Sequence, residues 1–281
     1  MDNAKIKNYI ILVLALVNIF LLAIVLTNAR QARRAAADRQ QALETVLADN
    51  GIRLSKDTDL SDAVLPELTL RRDAARESKM VTALLGDCDF SDLGGNVYSY
   101  KGKNGGEAKF RGTGEFTILL DANAVKRGTD VAATARSVLK KLGLRYSGET
   151  PEVSSSDGDA TVTLSCAWED TPVYNARVTF YFTASSLTLI SGTRPFDTQT
   201  ASAAPGSCPD GITVLMNFLQ SVRSTGDLCT EIRGLDMGYF VFPSVSGDCT
   251  LQPVWCVRTD SHAYYIDAKT GKSLTLEATV K

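Results

Sequence analysis

The residues that could carry chemistry are few, and they form no catalytic or metal-binding motif. His262 is the single histidine of the chain, which excludes a multi-histidine metal site. A Ser-His-Asp or Cys-His enzyme would need a nucleophile and an orienting acid in contact with that imidazole, and no motif supplies either. We expect His262 to be a surface residue at the end of a strand. We also expect neither a cofactor nor a bound metal.

Four acidic residues remain as candidates for acid–base chemistry: Asp121, Glu169, Asp170 and Asp260. General acid–base catalysis needs groups that are held at a defined separation, and the spacing of these four defines none. Turns and strand edges explain each of them as a solvated side chain. We therefore predict that the protein has no catalytic residues and is not an enzyme.

A glycine-rich segment with lysines, residues 101–106, raises the question of a phosphate-binding loop. Such a loop continues into Gly-Lys-Ser/Thr and a helix, and neither follows here. The segment instead lies between residues 97–100 and 107–110, whose sequences are typical of two paired strands. We therefore predict a β-hairpin with a flexible tip.

Composition narrows the protein class. The 281-residue chain is 44% hydrophobic and 22% charged, too apolar for a disordered chain and too polar for a protein with many membrane spans. The net charge of −2 provides no overall positive field, so we expect no nucleic-acid partner. Six cysteines permit disulfides in an oxidising compartment, but their spacing fixes no pairing.

One segment near the N-terminus is long and apolar enough to cross a bilayer. Residues 9–27 contain no charge, and 19 residues at about 1.5 Å each span a hydrocarbon core of about 30 Å. The apolar core of a signal peptide is usually about 7–15 residues long, and basic residues follow this segment in place of a small neutral cleavage site. We predict an uncleaved anchor preceded by residues 1–8.

The helix should continue beyond the bilayer. Residues 28–50 lack glycine and proline and are rich in strong helix formers. Gly51 is suited to end this helix, because glycine readily adopts the left-handed conformation of a C-terminal cap. We predict a helical juxtamembrane stalk over residues 28–54.

The flanking charges leave the orientation open. Two lysines precede the span and four arginines follow it: Lys5 and Lys7, then Arg30, Arg33, Arg34 and Arg39. The excess after the span favours a cytoplasmic C-terminal part, but long domains often translocate despite such charges. An even number of cysteines after the span is compatible with an oxidising exterior. From the residues alone, both orientations remain.

Asn18 lies in the middle of the span, where an amide is costly in lipid unless a hydrogen-bond partner satisfies it. Helical spacing places four other residues on its face, and a small residue among them would permit close approach of a second helix. We predict a partner interface formed by Leu14, Ala15, Asn18, Leu22 and Val25. Bonding of the amide within its own helix is the alternative.

Capping and periodicity predict an α+β domain after the stalk. Asp73 can cap a helix that ends at Leu85 before Gly86, and residues 68–70 precede it as a short strand. Residues 115–120 are typical of a buried strand. We assign residues 55–127 to the N-terminal part of this domain.

An internal repeat organises the second half of the chain. Thr129 can cap a helix that ends at Gly143, and a second amphipathic helix begins near Pro209 and carries Met216 among its apolar positions. The two helices are followed by a shared motif, Pro-Val-aromatic-x-apolar-Arg, at 172–177 and again at 253–258. The motif begins 41 positions after Val131 in the first copy and 41 positions after Ile212 in the second.

Each copy of the repeat should contain a helix followed by three antiparallel strands. The predicted strands are residues 160–167, 173–183 and 187–191, then 231–242, 250–258 and 263–267. Residues 198–207 are rich in Ala, Ser and Thr, and we predict that they form a linker between the two copies. We predict two α+β units, residues 128–200 and 201–281.

Several weak signals over nearly the whole chain resemble the YycI family and the related YycH and PepSY-type folds. They are the opening Met-Asp with two lysines, Val-Asn-Ile-Phe-Leu-Leu at 17–22, Leu-Ala-Asp-Asn-Gly-Ile at 47–52, Leu-Pro at 65–66, Leu-Leu-Gly at 84–86, Gly-Gly at 94–95 and Tyr-Tyr-Ile-Asp-Ala-Lys-Thr-Gly at 264–271. The resemblance implies a Gram-positive, single-pass cell-membrane protein with a signal anchor and an extracytoplasmic C-terminal domain.

The resemblance also implies partners. Such proteins associate with the WalK/YycG-type sensor histidine kinase of the WalK/WalR two-component system, which controls cell-wall metabolism, often beside a YycH-like protein. The family offers no catalytic residues to carry over, and its transmembrane segment is implicated in contacting the kinase, which maps here onto residues 9–27. A heterodimer and a homodimer both remain open.

We therefore expect a regulatory interaction protein that binds and modulates a sensor kinase. Any such effect needs a contact that differs between the two states of the kinase. Two alternatives belong to other classes: a PepSY-like module that binds or inhibits a peptidase, and an extracytoplasmic enzyme that acts on the cell wall.

Overall fold

The structure is a computed structural model and describes residues 3–56, 58, 60, 64–122, 124–196, 198–204, 208–244 and 247–276. The chain divides into two compact units, Met1–Leu54 and Ser55–Lys281.

The first unit consists of one long helix and a short strand. α1 (Asn3–Asp49) runs without interruption through the predicted span and stalk, and β1 (Arg53–Leu54) follows it. Gly51 has a φ of +74° and its N–H donates to the Ala48 carbonyl, so the continuous helix and its glycine stop are confirmed. Within the described part of the chain, no helix offers an apolar stretch long enough to cross a membrane. The span at residues 9–27 stays a prediction.

The second unit is mixed α+β, and its strands form one large sheet. Its elements are β2 (Leu68–Arg71), α2 (Ala74–Leu85), β3 (Cys88–Asp92), β4 (Tyr98–Gly102), β5 (Glu107–Phe110), β6 (Glu115–Leu119), α3 (Val131–Lys141), β7 (Arg145–Tyr146), β8 (Glu152–Ser156), β9 (Asp159–Trp168), β10 (Thr171–Phe182), β11 (Leu187–Thr193), β12 (Thr198–Ser202), α4 (Gly211–Thr225), β13 (Glu231–Pro243), β14 (Asp248–Thr259), β15 (Ala263–Asp267) and β16 (Ser273–Leu274).

The sheet follows the order β12-β2-β14-β13-β10-β11-β6-β5-β4-β3. Two groups of strands branch from this path. β9 pairs with β10 and carries β7 and β8, while β15 pairs with β14 and carries β16. The hairpin of β4 and β5 and the strand β6 are confirmed at nearly the predicted positions.

Aspartates cap α2, α3 and α4. The Asp73 side chain accepts the N–H of Ala75 and begins α2, as predicted. The prediction for α3 is wrong by one residue, because Asp130 and not Thr129 accepts the helical N–H of Ala133, at 2.9 Å. A carboxylate is favoured there, since its negative charge also interacts well with the helix N-terminus.

The buried face of α4 is turned away from the predicted position of Met216. Its buried side chains are Val214, Leu215, Phe218, Leu219 and Val222. Met216 was expected on this face but is 42% exposed, because one helical step of about 100° from Leu215 turns it toward solvent.

Both halves of the predicted repeat contain a helix and an antiparallel three-stranded meander. α3 precedes β9-β10-β11 and α4 precedes β13-β14-β15, but only the first half carries two further strands, β7 and β8, between its helix and its meander. Val173 and Val254, at the same place in the shared motif, lie in the middle strand of each meander. The boundaries of the two units and their superposition stay predictions.

The linker predicted at residues 198–207 is wrong in part. Its first half is β12, an edge strand that pairs with β2. An uncharged stretch of Thr, Gln, Ala and Ser shows no hydrophobic alternation, so only its main-chain pairing defines it as a strand. Residues 205–207 lie outside the described residues.

Candidate functional site

The predicted membrane interface follows one face of α1. At about 100° per residue, its five members fall within an arc of about 100°. The four with described side chains are all exposed: Leu14, Asn18, Leu22 and Val25. The Ala15 side chain lies outside the described residues. Exposure does not distinguish this face, because Ile24 on another side of α1 is also exposed, so the interface stays a prediction.

Asp260 is held in place by hydrogen bonds from the residue that precedes β13. Its carboxylate accepts the Thr230 hydroxyl at 2.5 Å and the Thr230 N–H at 3.1 Å. These hydrogen bonds hold the pKa of the Asp260 carboxyl well below its usual range, and the bond from the Thr230 hydroxyl has the largest effect. The bonds tie the start of β13 to the end of β14.

The other candidate carboxylates lie in turns. Glu169 and Asp170 form the turn between β9 and β10, where Glu169 has a φ of +53° and Asp170 pairs with Arg145 at 3.5 Å. Asp121 follows β6 and accepts the N–H of the next residue. Each has a local structural role, which agrees with the turn interpretation.

His262 is a surface residue between β14 and β15, as predicted. Its carbonyl accepts the Thr259 N–H at 3.0 Å, and its ring centroid lies 4.2 Å from that of Tyr264. The imidazole thus packs against the largely buried ring of Tyr264.

A buried ionic cluster of Arg72, Glu77 and Arg194 was not predicted. Glu77 and Arg194 side chains are each 1% exposed, and Arg72 is 9% exposed. Arg72 donates to both Glu77 oxygens, from Nε at 2.7 Å and from Nη2 at 2.9 Å, and Arg194 Nη2 donates to Oε1 at 2.7 Å. Arginine N–H groups therefore occupy both oxygens of this carboxylate.

The cluster joins distant parts of the sheet to α2. Arg72 Nη1 also donates to the Asn96 carbonyl at 2.7 Å, and Nη2 donates to the Phe110 carbonyl at 3.2 Å. The Arg72 guanidinium stacks 3.9 Å from the Tyr98 ring centroid. The Arg72–Glu77–Arg194 cluster therefore positions the meander β3–β6 against its helix.

A cleft opens where the two halves of the repeat meet. β10 and β13 share a single parallel pair, Val173 with Tyr239, and the cleft beside it has a volume of about 380 Å³. Its functional groups are Glu149, Tyr174, Asp236, Met237, Cys256 and Arg258.

A β-bulge shapes one wall of the cleft. On β10, residues 174–176 have no partner on β9, because Val173 pairs with Cys166 while Arg177 pairs with the adjacent Ser165. The corresponding stretch of β14 pairs with β13 without interruption. Bulges redirect side chains near functional sites, and this one is confined to the first copy of the shared motif.

Asn175 fixes the bulge to β13. Its Nδ2 donates to the Val241 carbonyl at 2.9 Å, and its Oδ1 accepts the Val241 N–H at 2.8 Å. The amide side chain thus makes the two hydrogen bonds to Val241 that a paired main chain would make. A sequence signal exists in hindsight, since the corresponding position of the second motif is Cys256.

The two arginines that end the shared motif form ion pairs with neighbouring strands. Arg177 on β10 pairs with Glu152 on β8, and Arg258 on β14 pairs with Asp236 on β13 at 2.6 Å. Only the second pair borders the cleft.

Five cysteines carry free thiols: Cys88, Cys166, Cys208, Cys229 and Cys256. Burial raises the pKa of each thiol, to about 12 for Cys166 and Cys256. These thiols stay protonated at neutral pH and are poor nucleophiles. They add no support for an oxidising exterior, so the orientation of the chain stays open.

Comparison with known proteins assigns no family. No protein-family model matches the chain, and no curated protein matches it significantly. Among solved structures, 13 chains match. One is an uncharacterised protein from Eubacterium rectale, with 10% identity and a TM-score of 0.49 over 80% of this chain and 89% of that one.

A second solved structure is the C-terminal domain of YpeB from Bacillus megaterium. It is 12% identical, with a TM-score of 0.38 over 73% of this chain and 97% of that one. Both TM-scores lie below 0.5, so neither similarity decides the family or the function. The YycI resemblance stays a prediction.

Proposed function

We propose that this protein is a membrane-anchored, extracytoplasmic accessory protein that binds and modulates a sensor histidine kinase controlling cell-wall metabolism. The observation that carries the proposal is α1, one uninterrupted helix over Asn3–Asp49 that contains the uncharged residues 9–27. The resemblance to the YycI family gives the kinase, with a YycH-like protein, as the expected partner.

The proposed contact is between helices in lipid. In a bilayer, the Asn18 amide gains from a partner helix, and interhelical hydrogen bonds there contribute about 0.6–2 kcal/mol. Asn18→Leu should therefore weaken co-purification of the kinase from membranes by about 3- to 30-fold, since about 1.4 kcal/mol corresponds to a factor of ten.

The matched control is Ile24→Leu on another side of α1, which should leave co-purification unchanged. Equal losses for both variants would indicate a general insertion defect and not a specific face. Unchanged co-purification of Asn18→Leu would place the contact outside this face and contradict the proposal.

A PepSY-like peptidase-binding module is the second candidate. The helix-and-meander order of α3 with β9–β11 and of α4 with β13–β15 favours it. Recovery of a peptidase, and not of a kinase, with the full-length protein would favour this candidate over the first.

A further inference from the structure

The cleft between β10 and β13 contains a buried hydroxyl without a well-formed hydrogen bond. Tyr174 is only 4% exposed, and among the described residues its hydroxyl meets the Cys256 thiol, a weak partner, but no well-placed oxygen or nitrogen. Buried polar groups in folded proteins are nearly always well paired, so this hydroxyl in the wall of a cleft indicates a place for a ligand atom. This observation is independent of the proposed function.

Charged groups of both signs line the same cleft as that hydroxyl. Arg258 and Asp236 form their ion pair at 2.6 Å while remaining 58% and 45% exposed, and Glu149 is exposed beside them. A guanidinium has five N–H donors, so one contact with Asp236 leaves Arg258 able to bind a second carboxylate. Two carboxylates against one guanidinium also give the cleft a net negative charge.

We propose that this cleft binds a free amino acid with a cationic side chain. The ligand carboxylate would bind Arg258 and accept the Tyr174 hydroxyl, and its two ammonium groups would bind Asp236 and Glu149. Such a ligand carries one negative and two positive groups, which complement the one positive and two negative groups of the cleft.

The hydroxyl of Tyr174 is suited to act as a donor. Burial raises the pKa of Tyr174, and the neighbouring Cys256 raises it further by a smaller amount. The phenol therefore stays protonated at neutral pH. The Cys256 thiol, whose pKa is raised to about 12 chiefly by burial, is likewise neutral. The cleft therefore provides binding groups and no activated nucleophile.

Two glycines leave room for these groups, because neither carries a side chain. A Cβ atom at Gly238 would lie 2.7 Å from Tyr174 Cε2, and one at Gly234 would lie 2.6 Å from Arg258 Nη2. Both glycines alternate with Asp236 on one face of β13. The sequence Gly-Leu-Asp-Met-Gly thus leaves room for an aromatic ring and a guanidinium on either side of the carboxylate.

Calorimetric titration of the full-length protein in detergent tests the proposal with three probes. L-lysine carries all three charged groups, cadaverine lacks the carboxylate, and L-norleucine lacks the second amine. We expect lysine to bind at least about tenfold more tightly than either analogue, since each lacks one charge-assisted contact. Arg258→Gln should reduce lysine binding to the level of cadaverine.

Tyr174→Phe distinguishes ligand binding from a structural role. It should weaken lysine binding by about three- to tenfold, as expected for one lost hydrogen bond. It should change the melting temperature without ligand only slightly, because the hydroxyl loses no more than a weak interaction with the Cys256 thiol. The control Tyr239→Phe removes a hydrogen bond to the Pro66 carbonyl at 3.1 Å, so it should lower the melting temperature and leave lysine affinity unchanged.

Three results would overturn the proposal. The first is the absence of a heat of binding with lysine at about 10 mM. That concentration is above the dissociation constant expected for specific binding of a small ligand of this kind. The second is lysine affinity unchanged by Tyr174→Phe. The third is cadaverine or norleucine binding as tightly as lysine.

Discussion

Replacing Glu77 with alanine should strongly destabilise the Ser55–Lys281 unit. The substitution removes the carboxylate that accepts three hydrogen bonds of 2.7, 2.9 and 2.7 Å from Arg72 and Arg194. Both guanidiniums would remain in place with 9% and 1% exposure, cut off from water and from their shared counter-charge.

The expected loss is about 3–5 kcal/mol in the free energy of unfolding, the usual result when one partner of a buried ion pair is removed. For a domain of about 150–250 residues, each kcal/mol lowers the melting temperature by about 2–4 °C, so the shift should be about 6–20 °C. Glu77→Gln, which keeps an oxygen acceptor but not the charge, should lie between alanine and the natural residue.

Chemical unfolding followed by tryptophan fluorescence measures this effect, because both tryptophans, Trp168 and Trp255, belong to this unit. The control is Glu115→Ala, whose partner Arg111 lies 3.8 Å away with both side chains exposed. Exposed pairs contribute about 0–1 kcal/mol, so the control should change little. Equal small losses for the two variants would refute a stabilising role for the cluster.

Three further predictions concern a cap, a close contact and a pH dependence. Asp130→Ala should cost about 0.5–2 kcal/mol in thermal unfolding and Thr129→Ala much less; the reverse order would restore Thr129 as the cap of α3. Gly238→Ala should cost about 1–3 kcal/mol, because its Cβ would lie 2.7 Å from the Tyr174 ring; an unchanged unfolding curve would contradict that contact. Burial raises the pKa of Tyr100 to about 12, above its unfolded value of about 10. Its contribution to stability should therefore be complete below about pH 10 and fall as the pH rises through about 12. The test is the free energy of unfolding as a function of pH for Tyr100→Phe and for the unchanged protein; equal slopes above about pH 10 would show that the reasoning is wrong.

Local signals predicted most of the elements. Aspartate before an amphipathic stretch located α2, and alternation located β13 and β14 to within two residues. These signals depend on neighbours in the sequence, through capping bonds and through the burial of one face. Elements with strong local preferences were therefore predictable without knowledge of the rest of the fold.

The sites depend on contacts that no local pattern encodes. Arg194 reaches Glu77 across 117 positions of sequence, and β12 is a strand only because β2 lies beside it. The cleft depends on a bulge at residues 174–176, where the two copies of the motif differ in pairing although their spacing is the same. Sequence spacing predicted the common scheme of the copies, and only the fold revealed their difference.

The position of β2 between β12 and β14 determines how late the chain can complete its sheet. Leu68 pairs with Ser202 on one side and with Leu251 on the other, about 130 and 180 positions later. At synthesis rates of about 5–20 residues per second, β2 is made about 6–27 s before β12, the first of its two partner strands, exists. Throughout that interval its main-chain donors and acceptors are open to foreign strands, so a nascent chain is most exposed to misassociation before its last quarter is made.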